Sequence, residues 1–287
     1  MLTILFDGIA YGMLLFVLAV GLAVTMGLMN FINLAHGAFA MVGGYITVLL
    51  MQRLDVPFLV CLPLAFAGAA LLGAVMERTL YRPLYRKPHL DQVLFSIGLV
   101  FMSVAAIDYY VGSTQQILHL PEWLKGRTEI GSLGMGHYRL FIIAVCAALT
   151  VGLQYILAKT RFGSRLRASV DDQRVAAGMG INVNVVFLST FAFGSGLAGL
   201  GGALGAEVLG LDPSFPLKFM IYFLIVVAVG GTSSITGPLL AALLLGIADV
   251  AGKYYIPKMG AFIVYSLMIV ILLWKPNGLF VRQGGKA

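Results

Sequence analysis

The chain has 287 residues, 60% of them hydrophobic and only 11% charged, with a mean hydropathy of +0.96. Soluble globular chains are nearer half apolar and a quarter charged, and disordered chains are poorer still in apolar residues, so both classes are excluded. An all-α polytopic membrane protein remains; at about 20 residues per span the length admits roughly seven to nine crossings and no large soluble domain. The net charge of +7 would suggest nucleic acid in a soluble chain. Here the placement of that charge reads as membrane topology, with the lipid bilayer as the surrounding medium and no nucleic-acid partner.

The first Lys or Arg is Arg53, so the N-terminus lacks the basic region of a cleaved signal peptide and reads as the first span. Nine apolar segments follow one another, at 3–28, 38–52, 56–76, 93–111, 139–158, 185–209, 217–231, 238–250 and 261–274. They are uniformly apolar rather than alternating, which predicts helices rather than barrel strands, about eight or nine in all, within a single domain over 1–287. Basic residues gather in 77–92 (Arg78, Arg82, Arg86, Lys87), in 159–184 (Lys159, Arg161, Arg165, Arg167, Arg174) and in the tail (Lys275, Arg282, Lys286). The seven others are interleaved with Asp and Glu. The positive-inside rule places the three basic stretches in the cytoplasm, and the parity of spans then puts the N-terminus outside and the C-terminus inside. The loop at 112–138 falls outside and is expected to fold over the outer mouth.

Three segments look too short. Those at 38–52 and 217–231 have 15 residues and that at 238–250 has 13; at 1.5 Å per residue they reach about 20–22 Å, against a hydrocarbon core of about 30 Å. All three flank polar breaks, Asn30-Phe-Ile-Asn33-Leu-Ala-His36-Gly37 and Gly230-Gly-Thr-Ser-Ser-Ile-Thr-Gly-Pro238. Irregular backbone at membrane depth is tolerated only where it is buried in protein or lines a wet cavity, and paired interrupted segments point to a transport route. Ordinary cytoplasmic turns are the alternative. Asn30, Asn33, His36, Gly37, Thr232, Ser233 and Ser234 are therefore candidate pathway residues, with Glu207 a further one because a carboxylate in a span is costly. A packing role is the other reading of His36, and snorkelling to the interface that of Glu207.

Other chemistries fit poorly. Gly194-Ser-Gly196-Leu-Ala-Gly199 satisfies GxGxxG but lies inside an apolar span, with small residues continuing at Ala198, Gly202 and Ala206. That spacing serves close helix packing rather than a dinucleotide. Ser195, Ser233 and Ser234 lack the GxSG turn of an intramembrane serine protease. No GxxxxGK[ST] loop exists, so the chain is not an ATPase of the Walker kind and is not expected to be an enzyme. The four histidines lack metal-ligand spacing, and Cys61 and Cys146 lie in apolar runs without implying a disulfide.

The 159–184 loop is the most informative. On one helix, Leu166, Val170, Gln173 and Ala177 would share a stripe, with Arg167, Asp171 and Arg174 beside it at ion-pair spacing and Gly178 and Gly180 ending the helix. A solvated basic loop is the plainer alternative. The run RLRASVDDQ followed by Val175-Ala-Ala-Gly-Met-Gly-Ile-Asn182 resembles the EAA-type coupling loop of ABC importer permeases. With Asn33-Leu-Ala-His36-Gly37, Gly43-Gly-Tyr45, the 230–238 break and the ending Trp274-Lys-Pro-Asn-Gly-Leu-Phe280, the chain resembles the branched-chain amino acid permease family, LivH-type subunit, along its length. It departs in having no Glu at the acidic position, where Asp171 or Asp172 stands in.

The resemblance implies a permease subunit of an ATP-driven importer of leucine, isoleucine and valine or related small amino acids, in the bacterial inner membrane. It implies a second homologous permease, two cytoplasmic ABC ATPases that bind the ATP, and a periplasmic substrate-binding protein, with no cofactor on this chain. Arg165, Arg167, Asp171, Asp172, Arg174, Ala176, Ala177, Gly178, Gly180 and Asn182 would form the ATPase contact. Urea or short amides are alternative substrates, and a self-sufficient secondary transporter or channel is the alternative class. Such a transporter needs no coupling loop.

Overall fold

Uninterrupted apolar sequence gives uninterrupted helix, because in lipid each backbone group must find its partner within its own segment. The computed structural model describes residues 1–29, 31–130, 133–231, 234–275 and 278–279. Its main helices are α1 (Leu2–Met29), α2 (His36–Leu54), α3 (Phe58–Met76), α4 (His89–Val111), α6 (His137–Lys159), α9 (Val183–Leu209), α10 (Phe215–Gly230), α11 (Thr236–Tyr255) and α12 (Gly260–Trp274). A short α5 (Glu122–Lys125) and the hairpin β1 (Arg127–Ile130) and β2 (Leu133–Gly136) lie between α4 and α6, and α7 (Arg161–Asp171) and α8 (Gln173–Gly178) lie between α6 and α9. Among the described residues, seven helices are long and apolar enough to cross a membrane, α3 continuing through a π turn and a 3-10 turn to Tyr85.

The lengths correct the sequence reading. The second span has 19 residues rather than 15 and the eleventh helix 20 rather than 13. Hydropathy missed their polar ends: His36 and Arg53 extend α2, while α11 starts at Thr236 and runs on past Val250 to Tyr255, with Lys253 paired to Asp249 at 2.5 Å. Of the three segments read as short, only α10, with 16 residues, remains so.

Helix α1 is the pillar, 89% buried in its most apolar window, with α6, α9, α10 and α11 around it. Helix α4 is 17% buried in its window and turns Leu94, Phe101 and Met102 outward. These are lipid-facing surfaces in a bilayer, where outward apolar residues carry no penalty. Helices α2 and α9 meet backbone to backbone. A Cβ on Gly43 would fall on the backbone of Gly199, and one on Gly202 on the carbonyl of Ala40. The small-residue run of α9 therefore serves packing.

The two ends differ in charge chemistry. The basic stretches come together at one end: Tyr85 packs its ring 5.9 Å from Phe187, Leu166 and Arg167 share a cavity with Ser234, and Gly278 abuts Gly231. At the other end, ion pairs join Arg139 to Asp7, Lys218 to Asp212, Lys253 to Asp249, Lys125 to Glu122 and Arg127 to Glu129. Among the described residues no ion pair occurs at the basic end. The 112–138 loop packs over this end of the bundle, through Gln52 Nε2 to the Ile117 carbonyl (3.3 Å) and a bridge between Gln116 and Leu211.

Candidate functional site

The first break lies at depth. His36 Nε2 is 2.9 Å from the carbonyl of Leu18. A carbonyl can only accept, so Nε2 carries the proton. Leu18 is eleven residues, about 16 Å, short of the end of α1, so the chain re-enters the bundle before α2 begins. Side chains answer three amides of this stretch. Gln92 Oε1 accepts from Ile32 N (3.2 Å), Ser96 Oγ from Leu34 N (3.2 Å) and Asn33 Oδ1 from Ala35 N (3.1 Å). Asn33 Oδ1 also accepts from the Tyr81 hydroxyl at 3.0 Å, and Gln92 Nε2 donates to the carbonyls of Leu84 and Lys87. Gln92 and Ser96 were missed by the sequence reading, although two buried polar residues four apart in an apolar helix mark one face turned to a polar partner.

Asn33 and His36 are thus buried structural groups, 1% and 2% exposed, and Gly37 packs on Pro216. Among the described residues they line no cavity with Ser234 or Glu207. Asn30, Thr232 and Ser233 lie outside the described residues. We expect His36→Ala to cost about 2–4 kcal/mol through the lost hydrogen bond and the void. Thermal unfolding in detergent checks this; an unchanged midpoint would contradict the bond.

The second break stands beside the loop. Gly231, with φ +79°, ends α10, and its amide donates to Val227 O (2.8 Å). Leu279 N donates to Val229 O (2.8 Å), so the tail covers the turn. Ser234 Oγ accepts from Gly237 N at 3.3 Å. Ser234 and Thr236 line a cavity of about 450 Å³ together with Val24, Leu157, Leu166 and Arg167. Helix α7 therefore stands against this break.

The loop itself is two helices, not the one expected. Thr160 Oγ1 caps α7 by accepting from Gly163 N (3.4 Å). Asp172 is extended (φ −151°, ψ 109°) and its Oδ1 accepts from Arg174 N (2.7 Å) and Val175 N (3.0 Å), capping α8. Asn182 Oδ1 caps α9 through Val185 N (3.2 Å). The expected stop holds: Ile181 N and Gly180 N donate to Ala176 O and Ala177 O, with Gly180 at φ +82°, a left-handed closure that suits glycine. The break at Asp172 resets the helical phase. Leu166 and Ala176 face inward, while Gln173 and Ala177 are exposed, against the single stripe expected. Arg167 donates to the Leu157 carbonyl rather than pairing with Asp171, and among the described residues Asp171 has no ion pair with Arg174. Arg165, Asp171, Arg174 and Gly178 face outward, as do Val175 (59% exposed) and Met179 (74%). That pair, four residues apart, is an apolar patch on a capped helix ringed by charge, and the sequence reading passed it over.

Glu207 belongs to the other end. It is thirteen residues, about 20 Å, along α9 from Gly194, which packs on Gly21 beside His36. Nearby, the Asp212 carboxyl in the α9–α10 loop is held below its ordinary range. Partial burial works the other way, but hydrogen bonds from Lys218 and Ser214 outweigh it. Its contribution to stability is complete above the ordinary carboxylate value of about 4 and fades as pH falls through the lower folded value. Asp212→Asn is expected to flatten that acid limb in a series of melting curves; an unaltered limb would contradict the pairing.

A bundle of membrane helices with two backbone breaks, and a capped, partly apolar loop beside one of them, defines a transport protein of the permease class. The chain belongs to the family described as branched-chain amino acid transport system, permease component, which matches residues 4–272. Similar proteins include the high-affinity branched-chain amino acid transport system permease BraD of Pseudomonas aeruginosa, 28% identical over 97% of this chain and 95% of its own. LivH of Escherichia coli is 26% identical over 97% of this chain and 94% of its own. LivM of Escherichia coli also matches, 24% identical over 93% of this chain and 68% of its own. No solved structure gives a significant match.

Proposed function

We propose that this chain is a permease subunit of an ATP-driven importer that brings branched-chain amino acids across a bacterial inner membrane. Its N-terminus is periplasmic and its C-terminus cytoplasmic. A second, related permease shares the path, two cytoplasmic ABC ATPases hold the ATP, and a periplasmic binding protein delivers the substrate. The chain itself hydrolyses nothing and needs no cofactor.

The observation that carries this reading is the α7–α8 unit. A two-helix unit capped by Thr160 and Asp172, with Val175 and Met179 exposed among arginines, is built to be gripped rather than solvated. Inward-facing Leu166 and its exposed neighbour Arg167 line the same cavity as Ser234, so a grip on this unit reaches the second break. A partner that binds this unit differently with and without ATP shifts the permease between two states. The arginines left without ion pairs at this end support the cytoplasmic assignment, and the family membership supports the substrate class.

Affinity purification of the tagged chain from mild detergent tests the proposal. Two Walker-type ATPases and a second permease at stoichiometric levels are expected. A lone homo-oligomer that moves solute in liposomes without ATP would overturn it.

A further inference from the structure

Resting on the amino-acid importer reading, we infer that a mixed-charge cavity at the outer end of the bundle is a receiving site for the amino-acid zwitterion. It is bounded by the starts of α1 and α6, the end of α9 and the α5–β1 turn, and measures about 530 Å³. That size lies in the range of small-molecule sites. Its wall carries two carboxylates, Asp7 and Glu207, and three cations, Lys125, Arg127 and Arg139.

The charges are arranged to be exchanged. Asp7 is bound to Arg139 through Oδ2, while its Oδ1 is buried and without a hydrogen-bond partner. A buried acceptor left unanswered calls for a donor. No ion pair joins Glu207 to a base among the described residues, so its carboxylate is a second acceptor at the rim. Lys125 and Arg127 are engaged only in exposed pairs, at 2.7 Å with Glu122 and 3.8 Å with Glu129, of the weak kind that a ligand carboxylate displaces. An α-ammonium therefore finds Asp7 and Glu207, and an α-carboxylate finds the guanidinium and ammonium groups. Leu120, Leu124 and Val208 supply an apolar wall for a branched side chain.

A smaller cavity of about 70 Å³ shares Asp7, Arg139 and Val208 and continues to Tyr11 and Leu14 of α1. The site thus lies at the head of a seam along the central helix.

Protection from chemical labelling tests this in the assembled transporter. Val208→Cys places a thiol in the wall at a position 37% exposed, and the two native cysteines are both 0% exposed, so a charged, membrane-impermeant methanethiosulfonate, read on this chain after its separation from the partners, reports that thiol alone. Leucine is expected to slow labelling by about threefold or more at concentrations above its dissociation constant. Isoamylamine, which lacks the carboxylate, and 4-methylpentanoate, which lacks the amine, should not slow it, and Glu207→Gln in the same background should abolish protection by leucine.

Protection by either half-molecule equal to that by leucine would overturn the inference. So would protection by the binding protein alone with leucine silent, which assigns the cavity to protein docking. Labelled-leucine uptake by the assembly with native Val208 and by the unlabelled Val208→Cys assembly is read separately. Uptake without protection overturns this site and leaves the importer reading standing; no uptake of leucine overturns the importer reading itself.

Discussion

Aspartate at both Val175 and Met179 is expected to abolish ATP-driven uptake while leaving the chain folded. Both side chains point out of α8, so neither substitution opens the core. The caps at Asp172 and Gly180 are untouched, since they engage backbone amides and not the side chains of Val175 or Met179. A docked partner would have to bury two carboxylates in an apolar contact. Exposed apolar anchors of this kind are worth about 2 kcal/mol or more each when covered, so the pair should weaken ATPase association well over tenfold. Co-purified ATPase and uptake should fall together while the melting midpoint stays put. Normal uptake by this variant would show that the patch is not the docking surface. Arg165→Ala is a milder comparison, because an exposed charge at the rim alters association rate more than affinity.

Gly202→Val should act on the fold rather than on docking. The groups in its way are backbone, the Ala40 carbonyl above all, and backbone cannot swing aside as a flexible side chain does. Helices α2 and α9 would have to separate, and α2 carries His36 away from Leu18 as it moves. Overpacking of this kind costs about 1–3 kcal/mol. The upper end corresponds to a fall of about 10 °C in the melting midpoint. Gly178→Ala is the control, since a Cβ there meets nothing within 4 Å. Equal midpoints for the two variants would contradict the crossing.

The order and number of the spans were legible because apolar composition alone decides them. Their ends were not, because hydropathy discounts a polar residue whose partner it cannot see. His36 belongs to α2 only once Leu18 answers it, and Lys253 to α11 only once Asp249 does. The two breaks were legible as clusters of Asn, Ser, Thr and Gly between apolar runs. What satisfies the first of them was not, since Gln92 and Ser96 come from a helix some sixty residues away. The 159–184 loop was read as one helix, and its phase was wrong beyond Asp171. Asp172 drew notice only as a stand-in for the family's acidic position, whereas its side chain caps the next helix and its extended backbone turns Ala176 inward in place of Ala177. Glu207 and Ser234 both drew notice as polar groups in apolar surroundings, but they stand at opposite ends of the bundle and serve different surfaces.

The claim that everything else depends on is that this chain moves branched-chain amino acids only when an ATPase drives it. The most direct measurement is accumulation of labelled leucine in proteoliposomes containing the purified assembly, with the binding protein on the receiving side and ATP varied on the other. The account predicts accumulation against a gradient that requires ATP and is lost in the Val175→Asp, Met179→Asp variant. Equilibration of leucine by this chain alone, without ATP and undiminished in that variant, would contradict it.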